Sequence, residues 1–300
     1  MAARPSSSER SRLIWSRVYQ ELIQDAVPDA RFSYDFMSFT PDFRGSLAAI
    51  DRLTALPCYQ AADVILVTPD NSLEHLRARA LKDGKRLLVA TYRLRRGFIL
   101  LHPGRIEESK YNLAACLDGM EKPSIGRPIT LAQMRDEGLK IDMCVTGGLI
   151  FSVQGVTIWE GENLFEVQWA LLQDIGALRP NAPVAAVAHA CQVVDEARLN
   201  MEMIKPTRSG EVQCDFVITP DTIFQVTGAV KPTGRLNFDT VDPDGLQHIP
   251  PLQELRGIRM MENIMQREGF APEGQKQKAP SAEEQMGINI IDKLMQNYKS

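Results

Sequence analysis

The chain has 300 residues, 44% hydrophobic and 24% charged, with a formal net charge of −4. These values are ordinary for a soluble globular protein with one large domain or two small ones, and the charge balance argues against binding to nucleic acid or to an anionic membrane. No stretch approaches the ~20 apolar residues of a membrane span, and the first twelve residues lack the apolar region of a secretory signal. The odd number of scattered cysteines favours a reducing compartment, so we expect a cytoplasmic protein.

The first predicted element is a helix over residues 10–26, where apolar residues recur at helical spacing. Residues 1–9 are expected to form a disordered tail, and a second helix is predicted over residues 46–56. One pattern then recurs along the chain: a continuous apolar run ends on a threonine and is followed by proline or glycine. The three runs cover residues 63–68, 142–146 and 215–219, and they end at Thr68, Thr146 and Thr219.

Other segments complete an alternation of strands and helices. Continuous apolar runs are typical of parallel strands covered on both faces, and the alternation predicts an α/β fold with an open, mostly parallel sheet. Ligands of such sheets bind outside the carboxyl ends of the strands, so the three threonines are expected on one rim, although each alone could simply terminate a strand. Further strands are predicted at residues 86–91, 98–101 and 183–188, and further helices at 72–81, 131–137 and 164–175.

The C-terminal part differs in composition. From about residue 257 the chain is rich in Gly, Pro, Gln and Lys, which predicts a linker. Ser281 and Glu284 then resemble a capping box that opens a final helix with a broad apolar face. Such a face must pack on the body of the chain or on a partner subunit, so a homo-oligomer formed through this helix is one expectation. The predicted division is therefore a main domain over residues 10–256 and a linker with a helix over residues 257–300.

The most informative stretch is residues 141–172, where a strand, a glycine turn, a polar loop and a helix start follow one another. Proteins of the α/β class build phosphate and nucleotide sites from these parts. A phosphate cradle needs bare backbone N–H groups and usually a cation, yet the loop contains no Lys or Arg. A β-hairpin that enters a helix is an equally good interpretation. The candidate binding residues here are Gly147, Gly148, Gly155, Gly161, Glu162 and Asn163.

Ionisable residues near the predicted strand ends are weaker candidates, because each alone is most often a helix cap or a solvated charge. His189 and Cys191 would share one face of an extended strand. A Cys–His nucleophile would need a third orienting group, so a half-buried structural pair is the favoured interpretation. The ionisable candidates are Asp70, Arg77, Asp195, Asp221 and Lys231, of which Lys231, together with Thr219, is counted among the candidate binding residues.

Five stretches in order carry a family resemblance: SRLIWSRV, ADVILVTPDNSLEHLRARALKDGKRLLVATYRL, IDMCVTGGLIFSVQG, AHACQVVD, and CDFVITPDTI with KPTGRLNFDTV. They are similar to the 5-formyltetrahydrofolate cyclo-ligase (methenyltetrahydrofolate synthetase) family, especially its methenyltetrahydrofolate synthetase domain-containing branch, over roughly residues 10–256. The resemblance implies a three-layer fold of the NagB/RpiA/CoA-transferase-like type and a small folate-like substrate. It also implies a reaction: ATP with Mg²⁺ phosphorylates the formyl oxygen of 5-formyltetrahydrofolate, N10 attacks, and phosphate leaves as the 5,10-methenyl ring closes.

Residue by residue, the resemblance implies that Arg12 helps to hold ATP and that Glu166, in place of an aspartate, ligates magnesium. The loop departs from the family pattern of Arg followed by Gly-Lys-Gly-Glu-Gly-Tyr and Asp. Losing two cations and two bare backbone positions predicts weak triphosphate binding. The departures are Thr157 for Arg, Trp159 and Asn163 for glycines, Glu160 for Lys and Leu164 for Tyr, while Gly161 and Glu162 are unchanged.

Three functions are compatible with these residues. The first is an ATP-dependent folate cyclo-ligase with a variant loop. The second is an enzyme of changed chemistry on the same scaffold that does not use ATP. The third is a catalytically silent folate- or nucleotide-binding or assembly protein, because fold alone does not decide function.

Overall fold

The structure is a computed structural model that describes residues 7–195, 211–241 and 243–267. The helices are α1 (Ser7–Asp25), α2 (Ser46–Thr54), α3 (Pro57–Ala61), α4 (Glu74–Lys82), α5 (Tyr111–Ala115), α6 (Leu117–Met120), α7 (Leu131–Asp136), α8 (Phe165–Asp174), α9 (Pro243–His248) and α10 (Pro250–Arg267). The strands are β1 (Ala26–Val27), β2 (Asp42–Phe43), β3 (Val64–Val67), β4 (Arg86–Ala90), β5 (Phe98–Leu101), β6 (Arg127–Ile129), β7 (Met143–Thr146), β8 (Ile150–Ser152), β9 (Thr157–Trp159), β10 (Val184–Val187), β11 (Val193–Val194), β12 (Phe216–Ile218) and β13 (Ile223–Gln225).

Eight strands form the central sheet in the order β13-β12-β10-β7-β3-β4-β5-β6. The five strands from β12 to β4 run parallel to one another, whereas β13, β5 and β6 pair antiparallel at the two sides. The outermost strand β6 places Pro128 opposite Ile99 of β5. The mostly parallel sheet predicted from the apolar runs is confirmed, and each predicted strand lies within one or two residues of its observed bounds.

Helices cover both faces of this sheet and give the predicted three-layer α/β fold. One face packs against α2, α4 and α5 in a large buried core, with Ile65, Val67 and Val89 pointing toward these helices. The alternate strand residues, such as Leu66 and Leu88, are equally buried, and the strands therefore have no solvated face. This double coverage explains why the strands are continuous apolar runs in the sequence.

A second, smaller core lies between α1 and a three-stranded sheet of order β11-β8-β9. The apolar stripe of α1, formed by Ile14, Val18 and Leu22, packs against Phe36, Phe39 and residues of β8. This packing fixes the irregular segment between α1 and α2. That segment forms one wall of the site described below.

The ends of the chain differ from the predictions where the structure describes them. Residues 7–9 belong to α1 rather than to a tail, and residues 257–267 continue α10 rather than forming a linker. The chain divides into two units, residues 1–256 and 257–300. The predicted helix after Ser281 lies outside the described residues. In the described part of the chain, no helix has the length and apolar character needed to cross a membrane.

Candidate functional site

The carboxyl ends of β3 and β7 meet at a buried polar cluster. These strands pair in parallel, so Thr68 and Thr146 emerge side by side, with their hydroxyl oxygens 3.5 Å apart. Thr68 donates a short hydrogen bond to the carboxylate of Asp70, and the N–H of Gly147 donates to the same carboxylate at 3.0 Å. Asp70 is only 5% exposed. A residue that the sequence placed among possible helix caps is therefore the centre of the strand-end cluster.

Asn163 closes the cluster from the loop before α8. Its amide nitrogen lies 3.1 Å from Oδ2 of Asp70, 3.2 Å from Oγ1 of Thr146 and 3.0 Å from the carbonyl oxygen of Gly147. The backbone carbonyl of Asn163 in turn accepts a hydrogen bond from Gln168 of α8 at 2.6 Å. The resemblance implies a glycine at this position in the family pattern. Here the amide of Asn163 lies between the strand ends and the start of α8.

Arg77 supports the cluster from beneath. Its guanidinium is fully buried and donates to the backbone carbonyls of Thr68 at 2.9 Å, Asp70 at 3.0 Å and Ala115 at 2.7 Å. Burial lowers its pKa to about 10, against the opposing effect of Glu74 and Asp70. The interpretation of Arg77 as a cap or a solvated charge is wrong. The signal for its true role was its position on the apolar face of α4, where a charge needs buried partners.

A pocket opens beside Asp70. Its wall carries three aromatic rings: Phe32 stacks on Phe39 with centroids 5.6 Å apart and on Tyr92 at 5.7 Å. Thr40 also lines the pocket, and its buried hydroxyl oxygen has no hydrogen-bond partner among the described residues. Within the same residues, Oδ1 of Asp70 accepts one long contact, 3.4 Å from Asn163. The pocket therefore offers a stacking wall and unused hydrogen-bonding capacity.

The arginines at the pocket mouth are neutralised by carboxylates. Arg31 lies 2.8 Å from Asp29 and 3.5 Å from Asp118, and its hydrogen bond holds the pKa of Asp29 well below the usual range. Arg93 lies 2.8 Å from Glu162 of the loop and has a left-handed backbone with φ 52°, which is strained for a residue with a side chain. Neither arginine presents an unpaired charge to an anion.

Glu160 lies in the loop before α8, and its partly buried carboxyl group contacts the amino end of that helix. It accepts the N–H of Glu166 at 3.4 Å. Burial, followed by the nearby Glu166 carboxylate, raises the pKa of Glu160 to about 8. The resemblance implies a lysine at this position, where this chain has a carboxyl group whose pKa is raised well above its usual value.

The raised pKa of Glu160 predicts a pH-dependent stability. The folded protein holds a proton that the unfolded chain releases near pH 4.5. Stability is thus fully present below that pH and falls as the pH rises through about 8, by up to about 1.4 kcal/mol per pH unit. Urea unfolding should show that the stability of Glu160→Gln relative to the wild type rises by up to about 4 kcal/mol between pH 5 and pH 8.5. Glu162→Gln controls for the loss of a loop carboxyl group. The prediction would be contradicted if the free energies of unfolding of Glu160→Gln and the wild type differed by the same amount at every pH.

The other candidate residues are divided between the site and distant places. Gly147 belongs to the cluster, and a Cβ on Gly148 would lie 2.5 Å from the ring of Phe151, so this turn requires glycine. Gly161 has φ 78° and lies near Thr40 and Leu149. Arg12 is exposed on α1. The placement of Arg12 against ATP stays a prediction.

Three candidates lie elsewhere. The amine of Lys231 bonds Asp215 at 2.5 Å and the carbonyl of Ala182 at 3.0 Å, at the amino ends of β12 and β10. Its assignment to the binding rim is wrong, because β13 runs antiparallel to β12 and returns the chain to the opposite edge of the sheet. Gly155 faces the same edge, bonded to Cys214. Thr219 lies on the predicted rim, but its hydroxyl closes its own turn with Thr222.

The metal prediction and the thiol prediction can be compared with the geometry. Among the residues that the structure describes, no group of three or more His, Cys, Asp or Glu is placed to hold a metal ion; the role of Glu166 as a ligand stays a prediction.

His189 Nδ1 lies 3.0 Å from the sulfur of Cys191 and its Nε2 lies 3.7 Å from Asp25. Burial raises the pKa of Cys191 to about 12, so the thiol stays protonated, as a structural pair requires.

The fold and the cluster define a class: a doubly covered α/β protein with a candidate binding site at the carboxyl ends of adjacent parallel strands. The model of the 5-formyltetrahydrofolate cyclo-ligase family matches residues 23–204, more than half of the chain. The chain belongs to this family.

Similar proteins carry a related description. The methenyltetrahydrofolate synthase domain-containing protein of Mus musculus is 29% identical over 251 residues, covering 80% of this chain and 63% of the relative. Those of Danio rerio and Homo sapiens are 29% and 28% identical, covering 73% and 72% of this chain and 54% of each relative. The chain thus spans between about half and two thirds of the length of these curated relatives.

Two solved structures are similar over most of their length. The NMR structure of Aquifex aeolicus 5,10-methenyltetrahydrofolate synthetase has a TM-score of 0.41 and 14% identity, covering 77% of this chain and 99% of that one. The 5,10-methenyltetrahydrofolate synthetase of Mycoplasma pneumoniae has a TM-score of 0.39 and 12% identity, covering 70% and 98%.

Proposed function

We propose that this protein binds a reduced folate in the pocket beside Asp70 and acts in one-carbon chemistry. The observation that carries the proposal is the combination of a buried carboxylate oxygen with spare hydrogen-bonding capacity and a wall of stacked rings. In a reduced folate the pyrimidinone ring of the pterin is planar, and its edge presents N–H donors. Such an edge matches a carboxylate through charge-assisted hydrogen bonds, and the planar ring suits a pocket whose wall is aromatic.

Asp70, Thr40 and the supporting Arg77 have specific roles in this proposal. Asp70 accepts the N–H donors of the ligand, and Arg77 fixes its backbone. Thr40 gains a partner for its buried hydroxyl, which relieves an unsatisfied polar group. Arg31 also lines the pocket but is paired with Asp29 and Asp118, so it is assigned no contact with the acidic tail of a folate. Together these contacts bind and orient the ligand.

The second candidate is the ATP-dependent ring closure of 5-formyltetrahydrofolate, supported by family membership and by the intact turn at Gly147. The loop residues do not fit a triphosphate with Mg²⁺. Thr157 and Glu160 stand where the family pattern has cations, and the Asn163 amide fills the space that a glycine would leave. We therefore derive no step through ATP, and we favour a folate-binding protein that does not use it.

Thermal unfolding with ligands tests the choice, because a ligand that binds only the folded state raises the melting temperature. We expect 5-formyltetrahydrofolate to raise the melting temperature and ATP with Mg²⁺ to leave it unchanged. Calorimetric titration should then give a weaker folate Kd for Thr40→Val, while the matched Thr40→Ser, which keeps the hydroxyl, should bind like the wild type. Stabilisation by ATP would support the ligase, and no response to the folate would reject the proposal.

A further inference from the structure

The amino end of α8 is already filled by side chains of this chain. A helix start leaves backbone N–H groups without partners, and anions bind there. Leu164, the residue before α8, supplies no side-chain bond to them and has φ 54°. Instead, Oδ1 of Asn163 accepts the N–H of Phe165 at 3.1 Å, and Oε2 of Glu160 accepts the N–H of Glu166 at 3.4 Å. Two of the groups that would hold a phosphate are thereby used.

Asn163 is fixed on its other side as well. Its amide nitrogen contacts Asp70, Thr146 and the carbonyl of Gly147, and the residue is only 4% exposed. Turning this side chain outward would leave buried polar atoms without partners, which is costly. The Asn163 side chain therefore occupies the space between the strand ends and the start of α8 in the folded protein.

Two carboxyl groups and a paired arginine surround the helix start. Glu160 and Glu166 are close enough for the second carboxylate to raise the pKa of the first. The nearest arginine of the opposing turn, Arg93, is neutralised by Glu162 of the same loop. A phosphate at this position would meet carboxyl groups and a paired cation.

We propose that Glu160 and Asn163 are specificity-determining residues that occupy the anion-binding start of α8 and exclude phosphate groups from the site. The site then takes a ligand whose inner end carries no phosphate. This inference concerns the site of the proposed function and relies on it only for the identity of the ligand that is admitted.

Opening the helix start tests the inference. The double variant Glu160→Ala with Asn163→Gly removes both side chains and should bind inorganic tripolyphosphate, or ATP with Mg²⁺, about tenfold or more tightly than the wild type in calorimetric titrations. Glu160→Gln keeps an oxygen acceptor at the same place and should still exclude tripolyphosphate. Asp51→Ala removes a carboxyl group at a distant exposed position and should leave the affinity unchanged.

Two outcomes would overturn the inference: wild type and double variant binding tripolyphosphate equally well, or neither binding it. If thermal melting shows the double variant unfolded, Glu160→Ala alone decides, with about a threefold gain expected and no gain counting against exclusion. Titration of the same proteins with 5-formyltetrahydrofolate separates the two proposals. If the wild type does not bind the folate, the proposed function is rejected, but the conclusion about phosphate exclusion is unaffected.

Discussion

Replacing Arg77 with methionine is expected to lower the free energy of unfolding by about 3 to 5 kcal/mol. The guanidinium is fully buried, and it donates to three backbone carbonyls, of which that of Asp70 also accepts the N–H of Leu73. Methionine fills most of the volume but donates nothing, so the carbonyls of Thr68, Asp70 and Ala115 each lose the hydrogen bond from the guanidinium. Urea denaturation at neutral pH measures the change.

A control on the same helix separates burial from charge. Arg79 is half exposed and pairs with Asp51 and Asp83 at the surface, so Arg79→Met should cost less than about 1 kcal/mol. Arg77→Lys keeps the charge but cannot span three carbonyls, and it should fall between the two. Equal effects of Arg77→Met and Arg79→Met would show that the buried contacts contribute little.

Replacing Asp70 with asparagine is expected to weaken binding of 5-formyltetrahydrofolate by about 2 to 3 kcal/mol, roughly 30- to 150-fold in Kd. The amide is nearly isosteric and can still accept the N–H of Gly147 through its oxygen. It lacks the charge that strengthens hydrogen bonds from the ligand, and its NH₂ group cannot accept them. Calorimetric titration of the variant measures the loss.

The chain supplies a matched control for this change. Thr68-Pro69-Asp70 recurs as Thr219-Pro220-Asp221 after β12, but Asp221 is exposed. Asp221→Asn should bind the folate like the wild type. A comparable loss in both variants would mean that Asp70 acts through general electrostatics and not as the direct acceptor.

The sequence predicted the scaffold well because its signals are local. Buried parallel strands must be apolar along their whole length, so β3, β7 and β12 stand out as runs, and their shared direction places Thr68 and Thr146 on one rim. The predicted position of Lys231 on the binding rim was wrong because the antiparallel direction of β13 was not predicted. That direction decides which edge of the sheet the following residues reach.

The pocket could not be predicted in the same way. Phe32, Phe39 and Thr40 belong to an irregular segment with no periodicity, and they reach the site because α1 packs on the small sheet. Arg77 was visible as a charge on an apolar helix face, but its carbonyl partners lie on two separate turns. The departures of the loop from the family pattern were also visible in the sequence. The contact between the Asn163 amide and Asp70 was not, because it depends on the backbone conformation at Gly161 and Leu164.

The placement of Pro128 on the outermost strand has a consequence for behaviour at high concentration. A free strand edge invites another chain to add to the sheet and begin aggregation. Proline has no N–H to donate, and on an edge strand it interrupts the ladder that an incoming strand would need. At the opposite side, β13 is three residues long. The large sheet is thus poorly suited to edge-to-edge growth, and we expect this domain to stay dispersed in concentrated solution as far as its strand edges are concerned.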